Sequence, residues 1–555
     1  MELKFLTPTE VWHNFNASEV TLDSSTTSVE TENNYVCVKQ YFTAQDNAQG
    51  SIRAYIEICY DIRWTDARPV ILLLESYENA NNRDIARKLV EQGYIVGLLD
   101  YCGGILEGED KTTFTQNLQF ASYPECKESL NVVRKNARNS AWFIWSKISR
   151  LALSVLEMLP IVDKAHIGVI GFGEGAHVAW QVAGMDSRVR ALVAIGDAGY
   201  RWASGKTRFV GANVMNSDEE LVFSTGVGAE TYAKFIHCPT FLIVSKSAYS
   251  TDVDRAGDIL ALVQSDCKQL LITNGNDAQL TKTAFDAIMN WLRKNFMVRG
   301  EASITPTAAF ENVDGRLYMR MNTVQNATKI QVNVCYGEPR SDSRHWDSLD
   351  ALQKVDTNLY TVGVPVYDLQ ELIVAYATFS YENGNIISTP IQGIFPHKLG
   401  ITAVDRIREN YRIMYDGSMG LGSFSCLTKD AILDESSLTQ AYGPFEIKGI
   451  TVKNGGLSLC RSAAELKALD RTSTLHFDAY SPEARELRIN MYAYPEMKRY
   501  TAYAKLNGGE FWQKILLDSA DFKSDEGKTL AQFRDTKILA IPHAAGVIFN
   551  NFLWI

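Results

Sequence analysis

The sequence lacks the features that mark membrane, secreted and zinc-binding proteins. No stretch approaches the roughly 18 consecutive apolar residues that a bilayer-spanning helix needs. The opening segment, MELKFLTP, has no basic stretch followed by an apolar one, so we expect no signal peptide. The nine cysteines are scattered singly, without any C-x-x-C pair. This usage favours reduced, mostly buried thiols over a disulfide framework or a zinc site.

Positive charge is also in short supply. Acidic residues outnumber basic ones, 65 to 55, which gives a formal net charge of −10. A field of this sign repels phosphate backbones, so nucleic acid is not expected as the main partner. The remaining composition, 46% hydrophobic and 22% charged, is that of an ordinary globular chain. Because 555 residues are too many for one hydrophobic core, we expect roughly two to four domains. Together with the missing membrane span, signal peptide and cysteine pairs, the composition predicts a soluble, cytoplasmic protein without a membrane partner.

Residues 1–299 alternate short apolar runs with helical stretches, which is typical of an α/β domain with a mostly parallel sheet. Predicted strands span residues 69–74, 94–100, 167–170, 191–195, 240–244 and 269–273, and predicted helices span 82–92, 141–159 and 282–296. A polar and aromatic insertion at about 104–140 lies where a lid would wall a pocket or simply cover the carboxyl edge of the sheet. We prefer the second interpretation, and we assign Trp142, Trp145 and Trp180 to the core.

After residue 299 the hydrophobic pattern changes to period two, which indicates strands. Residues 300–398 include the sequence Glu382-Asn383-Gly384-Asn385, a strong hairpin signal. With Ala375-Tyr376-Ala377-Thr378 and Ser388-Thr389-Pro390, this unit resembles the immunoglobulin-like spacers attached to secreted hydrolases. The resemblance implies a β-sandwich that fixes the geometry between domains.

Residues 399–555 form a second strand-rich unit. Its clearest predicted strands are 475–480, 487–492, 499–505, 512–517 and 547–554. The order of these strands, with Gly508-Gly509-Glu510-Phe511-Trp512 between two of them, resembles the galactose-binding-like jelly rolls of carbohydrate-binding modules. The resemblance makes Tyr492, Tyr494 and Trp512 candidates for stacking on sugar rings, although aromatic residues in strands more often belong to the core.

One short motif in the first unit has the context of a catalytic turn. The predicted strand at 166–170 runs into Gly171-Phe172-Gly173-Glu174-Gly175, and a predicted helix follows. Strand, tight glycine turn and helix form the nucleophile elbow, G-x-S-x-G, whose middle residue is held at positive φ and presents its side chain above the sheet. Here the middle residue is Gly173, which adopts that conformation without strain but has no side chain to present.

With this motif, residues 35–297 resemble the α/β-hydrolase superfamily, and in particular its dienelactone-hydrolase and acetylxylan-esterase-like branch. The resemblance depends on the order and spacing of the elbow, the 69–75 strand, the Asp100-Tyr101-Cys102-Gly103 turn and the 237–243 segment. It implies an α/β-hydrolase fold. For working members it also implies a nucleophile, a histidine that takes its proton, and a carboxylate that orients the histidine.

The resemblance places the three catalytic slots on residues that lack the required side chains. The nucleophile slot is Gly173, the acid slot after the 240–244 strand is Ala248, and the histidine slot after the 269–273 strand is nearest Asp277. No histidine occurs between His237 and His345. Substitutes would have to come from elsewhere, and the candidates are Glu174, His177, Asp197, Asp252 and Asp254.

The sequence therefore predicts a catalytically degenerate hydrolase fold that serves as a binding or scaffolding protein. Carbohydrates and small acylated molecules are its candidate ligands. The alternative is an active carboxylic-ester hydrolase, for acetyl or acyl esters, that uses displaced residues. A third possibility is a structural role in which the domains assemble into an oligomer. We expect no cofactor, because no phosphate-binding glycine loop, H-E-x-x-H, EF-hand loop or dinucleotide fingerprint occurs.

Overall fold

The computed structural model describes most of the chain. The described residues are 3–77, 82–106, 110–133, 135–203, 208–211, 217–248, 251–275, 279–297, 305–349, 352–405, 412–428, 430–460, 469, 472–493 and 497–555. Within them all nine cysteines are free thiols, and no described helix is long and apolar enough to cross a membrane.

The first part of the chain contains nine α-helices and eleven strands among the described residues, besides short 3-10 and π-helical turns. The strands are β1 Ser25–Glu32, β2 Tyr35–Asn47, β3 Gly50–Asp61, β4 Arg68–Leu74, β5 Ile95–Asp100, β6 Thr113–Phe114, β7 Val162–Phe172, β8 Val189–Ile195, β9 Thr240–Ser245, β10 Lys268–Thr273 and β11 Leu280–Thr281. The helices are α1 Pro8–Val11, α2 Asn82–Glu91, α3 Tyr123–Cys126, α4 Ala141–Glu157, α5 Glu174–Met185, α6 Asp218–Gly226, α7 Ala229–Ala233, α8 Ala256–Leu262 and α9 Lys282–Leu292.

A large mixed sheet forms the centre of this part. Its strand order is β1-β2-β3-β5-β4-β7-β8-β9-β10, with β6 attached to β3. The strands from β5 to β10 in this order are parallel, and β1, β2 and β3 join them as an antiparallel ribbon. Every residue of β5 and β9 is buried, as expected for a parallel sheet covered on both faces. The α/β class and all six predicted strands are confirmed.

The antiparallel ribbon is absent from the sequence-based prediction, which contains no strand before residue 69. All eight residues of β1 are exposed, and Val29 is its only aliphatic side chain. A strand without a buried face has no alternation of apolar and polar residues, so the hydrophobic pattern of the sequence does not reveal it. In β2 the period is broken by a register shift between Thr43 and Gln45, which moves side chains to the other face of the sheet.

The insertion at 104–140 packs onto the carboxyl end of the sheet and onto α4. The ring of Tyr123 stacks on that of Tyr77, which follows β4, with the centroids 4.0 Å apart. The indole of Trp145 donates a hydrogen bond to the carbonyl of Ala121 at 2.7 Å. The three tryptophans assigned to the core, including Trp142 and Trp180, are fully buried. These contacts agree with the covering role that we prefer for the insertion.

The middle part forms two antiparallel sheets with a shared core. Its strands are β12 Thr307–Val313, β13 Arg316–Asn322, β14 Lys329–Tyr336, β15 Asp347–Leu349, β16 Gln353–Asp356, β17 Leu359–Gly363, β18 Ile373–Ser380, β19 Ile386–Ser388 and β20 Gln392–Ile394. One sheet has the order β12-β13-β17-β16, and the other has the order β15-β14-β18-β19 with β20 beside β18. The predicted hairpin between β18 and β19 is confirmed, with Gly384 at φ 77°. The immunoglobulin-like type stays a prediction.

The C-terminal part also consists of two sheets around one core. Its strands are β21 Ile413–Tyr415, β22 Phe424–Leu427, β23 Ile432–Leu433, β24 Leu438–Tyr442, β25 Lys448–Val452, β26 Gly456–Cys460, β27 Leu475–Tyr480, β28 Arg485–Ala493, β29 Lys498–Leu506, β30 Gln513–Leu517, β31 Thr536–Ile541 and β32 Ile548–Trp554. The sheet orders are β24-β25-β32-β27-β30, with β21 on β32, and β22-β26-β31-β28-β29. All five predicted strands are confirmed, and the jelly-roll type stays a prediction.

The three parts are in direct contact near the end of the large sheet. The backbone N–H of Ile272 in β10 donates to the hydroxyl of Ser388 in β19 at 2.9 Å. Strand β11 pairs in parallel with β23 of the C-terminal part. Side chains of the middle part, among them Trp346 and Tyr376, belong to the same hydrophobic cluster as the large sheet. The domain limits at 299 and 398 stay predictions.

Candidate functional site

The predicted elbow is present as a turn. Strand β7 ends at Phe172, Gly173 has φ 50° and ψ −113°, and α5 begins at the next residue. The flanking glycines are required by close packing, because a Cβ on Gly171 would lie 2.4 Å from the carbonyl oxygen of Gly175, and one on Gly175 would lie 2.0 Å from that of Leu74. The turn therefore has the strand-to-helix geometry of an elbow, without a side chain at its apex.

Two carboxyl groups lie beside the elbow, those of Glu174 and Glu75. The first is hydrogen-bonded within the protein, and the second is buried. The Oε2 of Glu174 accepts a hydrogen bond from the hydroxyl of Ser76 at 2.8 Å. Glu75, at the carboxyl end of β4, is completely buried, and neither of its carboxyl oxygens has a hydrogen-bond partner in the described part of the chain. Burial raises the pKa of Glu75 to about 8, so this group is a neutral acid at pH 7.

His177 is buried one turn into α5, and both of its ring nitrogens face oxygen atoms. Nδ1 lies 3.2 Å from Oδ2 of Asp197, and Nε2 lies 3.0 Å from the carbonyl oxygen of Val227. The ring packs on Trp142 with a centroid distance of 4.3 Å. With both nitrogens engaged and no exposed surface, His177 has no nitrogen available to accept a proton from a substrate or nucleophile.

Asp197 is the partner of His177 and is held as a carboxylate. Its Oδ2 also accepts from Nε of Arg201 at 2.9 Å, and its Oδ1 accepts from the backbone N–H of Gly199 at 2.6 Å. Burial acts to raise the pKa of Asp197, but the charges of Arg201 and His177 outweigh it and lower the pKa to about 2. Asp197 therefore holds buried cationic and polar groups together.

The two other acid candidates are also engaged. Asp254 forms a fully buried bidentate ion pair with Arg344 of the middle part, in which Nη2 and Oδ2 are 2.8 Å apart. The Oδ1 of Asp252 accepts from the backbone N–H of Asp254 at 3.2 Å, and burial together with the charge of Asp254 raises its pKa to about 7. Ala248, in the predicted acid slot, is buried after β9. Asp277 and Tyr494 lie outside the described residues.

A cavity of about 310 Å³ lies at the carboxyl ends of β9 and β10, and we call it the interface cavity. Residues from all three parts of the chain line it. They are Lys246, Ser247 and Asn274 from the first part, Asp342 from the middle part, and Gly422, Ser423, Phe424, Ser425, Leu427, Ser458, Cys460, Tyr492, Met497, Lys537, Ile538 and Ala540 from the C-terminal part. In α/β sheets this edge is where ligands bind.

Lys246 is the most unusual group in the interface cavity. It is the first residue after β9, its exposed fraction is 2%, and its ammonium donates a hydrogen bond to the carbonyl of Gly422. Burial lowers its pKa to about 8. The other cavity lysine, Lys537, is instead paired with Asp342, with Nζ and Oδ2 2.5 Å apart.

The predicted aromatic residues do not form one platform. Tyr492, on β28, lines the interface cavity. Trp512 lies just before β30 in the other C-terminal sheet, where its indole N–H donates to the carbonyl of Pro444 at 3.0 Å. Trp512 thus packs on the turn at Gly443 and Pro444, away from Tyr492.

A serine–histidine contact that the sequence does not predict borders the interface cavity. The Oγ of Ser423 lies 3.0 Å from Nε2 of His345, and Oδ1 of Asp347 lies 3.6 Å from the same nitrogen. Ser423 also contacts the carbonyl oxygen of Trp346 at 3.3 Å. These residues line a second cavity of about 630 Å³ between the middle and C-terminal parts. No local motif could predict the contact, because it joins residues 78 positions apart in two different parts.

The comparisons with known proteins find similarity at the level of solved structures. No family model matches the chain, and no curated protein matches it. An acetyl xylan esterase from Thermoanaerobacterium sp. is 15% identical over 53% of this chain and 95% of its own, with a TM-score of 0.39. One from Paenibacillus sp. R4 is 12% identical over 53% and 96%, with a TM-score of 0.39. A glucuronoyl esterase from Solibacter usitatus is 11% identical over 49% and 85%, with a TM-score of 0.35. At these values they assign no activity to this chain.

Proposed function

We propose that this protein is a binding protein built on an α/β-hydrolase-like scaffold that has lost its catalytic centre. The observation that carries the proposal is Gly173 at φ 50° at the apex of the elbow, where a hydrolase of this architecture would present its nucleophile. The one histidine on the adjoining helix, His177, has both ring nitrogens engaged. Nucleophilic catalysis needs a nucleophile and a base within hydrogen-bond reach, and the elbow offers neither.

The interface cavity is the proposed ligand site. It lies at the carboxyl edge of the sheet and combines apolar walls with a few polar groups, which is the usual make-up of a small-molecule site. Tyr492 supplies an aromatic face there. Carbohydrates and small acylated molecules are the ligand classes that we propose.

A second candidate function is ester hydrolysis by displaced residues, and the Ser423–His345 contact favours it. In such a reaction Oγ of Ser423 would attack the ester carbonyl while Nε2 of His345 takes its proton. The leaving alcohol would carry that proton away, and water would then hydrolyse the acyl-enzyme. However, Asp347 approaches the same nitrogen as Ser423, whereas a triad acid orients the opposite one. We therefore place binding first.

One experiment separates the two functions. The full chain is assayed with short-chain p-nitrophenyl esters and labelled with a fluorophosphonate, beside Ser423→Ala and a control, Ser425→Ala. Ser425 lines the same cavity and contacts the hydroxyl of Ser458 at 2.9 Å. The binding proposal expects neither turnover nor labelling. Turnover and a labelled Ser423 peptide, both lost in Ser423→Ala and kept in Ser425→Ala, would establish the hydrolase instead.

A further inference from the structure

Lys246 is a buried cation that lacks a carboxylate partner among the described residues. Its ammonium has three N–H donors, and within the described ranges it makes one hydrogen bond, to the carbonyl of Gly422. The nearby carboxylate of Asp347 favours the charged form of Lys246, but burial outweighs it and lowers the pKa. An ammonium removed from water in this way is strongly disfavoured unless an anion joins it.

The other charges of the interface cavity are already balanced. Among the described charged side chains that line the cavity, Asp342 is paired with Lys537, with Oδ2 and Nζ 2.5 Å apart, so that these two charges cancel. Within the described part of the cavity wall, Lys246 is therefore the cation left to be neutralised by a ligand. One unpaired positive charge matches a monoanion, since a phosphate dianion would leave excess negative charge in a buried site.

The remaining walls define the rest of the ligand. Tyr492 and Ile538 contribute apolar surface, and Ser423, which follows Gly422, also lines the cavity. The volume of about 310 Å³ is at the small end of ligand pockets. A molecule with one acidic group and a compact apolar body fits these walls.

We propose that the interface cavity binds a small monocarboxylate, whose carboxylate group pairs with Lys246 and whose apolar body packs on Tyr492 and Ile538. This inference rests on the proposed function, because it takes the same cavity as the ligand site, and it replaces the neutral carbohydrates and acylated molecules proposed above with a small acid. The Lys246 ammonium donates a hydrogen bond to Gly422 of the C-terminal part. Because Tyr492 and Ile538 also belong to the C-terminal part, the bound ligand would contact two parts of the chain.

The test compares carboxylates with their neutral amides on the full chain by isothermal titration calorimetry. The pairs are butyrate and butyramide, benzoate and benzamide, and phenylacetate and phenylacetamide, with phenyl phosphate as the dianion and cellobiose as a neutral sugar. We expect at least one carboxylate to bind about 10- to 100-fold more tightly than its amide, the range of a charge-assisted hydrogen bond. Phenyl phosphate should bind more weakly than that carboxylate.

Variants assign the preference to Lys246. In Lys246→Met the carboxylate and its amide should bind equally. Lys268→Met is the matched control. Lys268 is the first residue of the neighbouring strand β10, at the end of the sheet away from the cavity, and its ammonium also donates to a backbone carbonyl, that of Val263. The control should keep the full preference. Tyr492→Ala should weaken the carboxylate and the amide by the same factor.

The outcomes distinguish the two levels of the proposal. The wild type could bind carboxylates and amides equally, or bind cellobiose alone. If Tyr492→Ala weakens that binding, the interface cavity stays the ligand site and the monocarboxylate is overturned. Preferred binding of phenyl phosphate would also overturn it. If no probe, charged or neutral, binds the wild-type chain, both the monocarboxylate and the interface cavity as ligand site are wrong. A preference that survives in Lys246→Met would remove Lys246 from the site.

Discussion

Glycine at position 173 has the backbone shape of the elbow and no side chain at its apex. The φ of 50° would cost a residue with a side chain on the order of 1–3 kcal/mol, and glycine avoids that strain. The nearest histidine along the helix, His177, is fully committed to Asp197 and Val227. A glycine at this position therefore avoids the backbone strain that a residue bearing a nucleophile would store there.

We predict that Gly173→Ser folds, loses about 1–3 kcal/mol in the free energy of unfolding, and gains no esterase activity. The hydroxyl would occupy the nucleophile position, but no free imidazole nitrogen lies on α5 to take its proton. Urea denaturation gives the stability change, and p-nitrophenyl acetate hydrolysis gives the activity. Turnover above that of the wild type would show that a base reaches the elbow.

We predict that Lys246→Met stabilises the fold at pH 7 while removing the proposed carboxylate preference. The folded-state pKa of Lys246 is about 8, below its usual 10.5, so the unfolded chain binds the proton more tightly. The wild-type free energy of unfolding should rise with pH between 8 and 10.5, and below pH 8 the buried ammonium destabilises the fold. At about 1.4 kcal/mol per pKa unit, the gain for methionine is roughly 3 kcal/mol.

The measurement is urea unfolding of both proteins at pH 7 and pH 10. The difference between them should shrink at the higher pH, where the wild-type lysine is neutral in the folded state. A destabilised Lys246→Met variant at pH 7 would mean that Nζ has a compensating partner, and the charge inference would be wrong.

The sequence anticipated only part of the candidate site at the level of single residues. Gly173 and its flanking glycines were predictable, because an elbow has a local signature of five residues. Lys246, Ser423 and His345 were not, because their importance comes from contacts between distant segments and from burial at an interface. Tyr492 was predicted as a sugar-stacking residue, and the structure places it in the interface cavity.

Elements were predictable where a strand is buried on both faces. Strands β4, β5 and β9 have almost entirely buried residues, so each appears as an apolar run. Strand β1 has no buried residue, and its position at the end of the sheet follows from backbone pairing with β2. Backbone pairing leaves no hydrophobic pattern in a sequence.

The turn after β5 depends on a single buried carboxylate. Oδ1 of Asp100 accepts from the N–H groups of Gly103 at 2.8 Å and Gly104 at 3.1 Å, and Oδ2 accepts from that of Thr112 at 2.9 Å. Asp100 thereby ties residues 103–105 and Thr112 to the end of β5. Burial raises its pKa even though these hydrogen bonds oppose the rise.

We predict that Asp100→Ala costs about 3 kcal/mol or more in the free energy of unfolding, because each buried N–H left without an acceptor costs about 1–3 kcal/mol. Asp100→Asn keeps one acceptor oxygen and should lose less. Urea denaturation measures both, and limited proteolysis should cut the 104–140 insertion faster in the alanine variant. Equal stability of the two variants would show that the carboxylate does not organise this turn.

At the scale of the whole molecule, the middle part does more than separate its neighbours. It supplies Arg344 to the buried pair with Asp254, and it supplies Asp342, two residues earlier, to the wall of the interface cavity. The sequence predicts three units in order, and the structure has β-rich middle and C-terminal parts after the α/β part. Their mutual packing could not be predicted, because it depends on single side chains such as Arg344 that no periodic pattern marks.

We predict that Arg344→Met weakens the packing of the middle part on the first part and impairs the interface cavity. Removing one partner of a buried ion pair costs about 3–5 kcal/mol, since the other charge stays buried alone, and replacing both partners is far less harmful. Arg344→Met should therefore lower the melting temperature and weaken ligand binding, and Asp254→Leu combined with Arg344→Met should recover most of both. Differential scanning calorimetry measures the first effect, and titration with the best-binding probe measures the second. If Arg344→Met melts and binds like the wild type, other contacts hold the three parts together and shape the cavity.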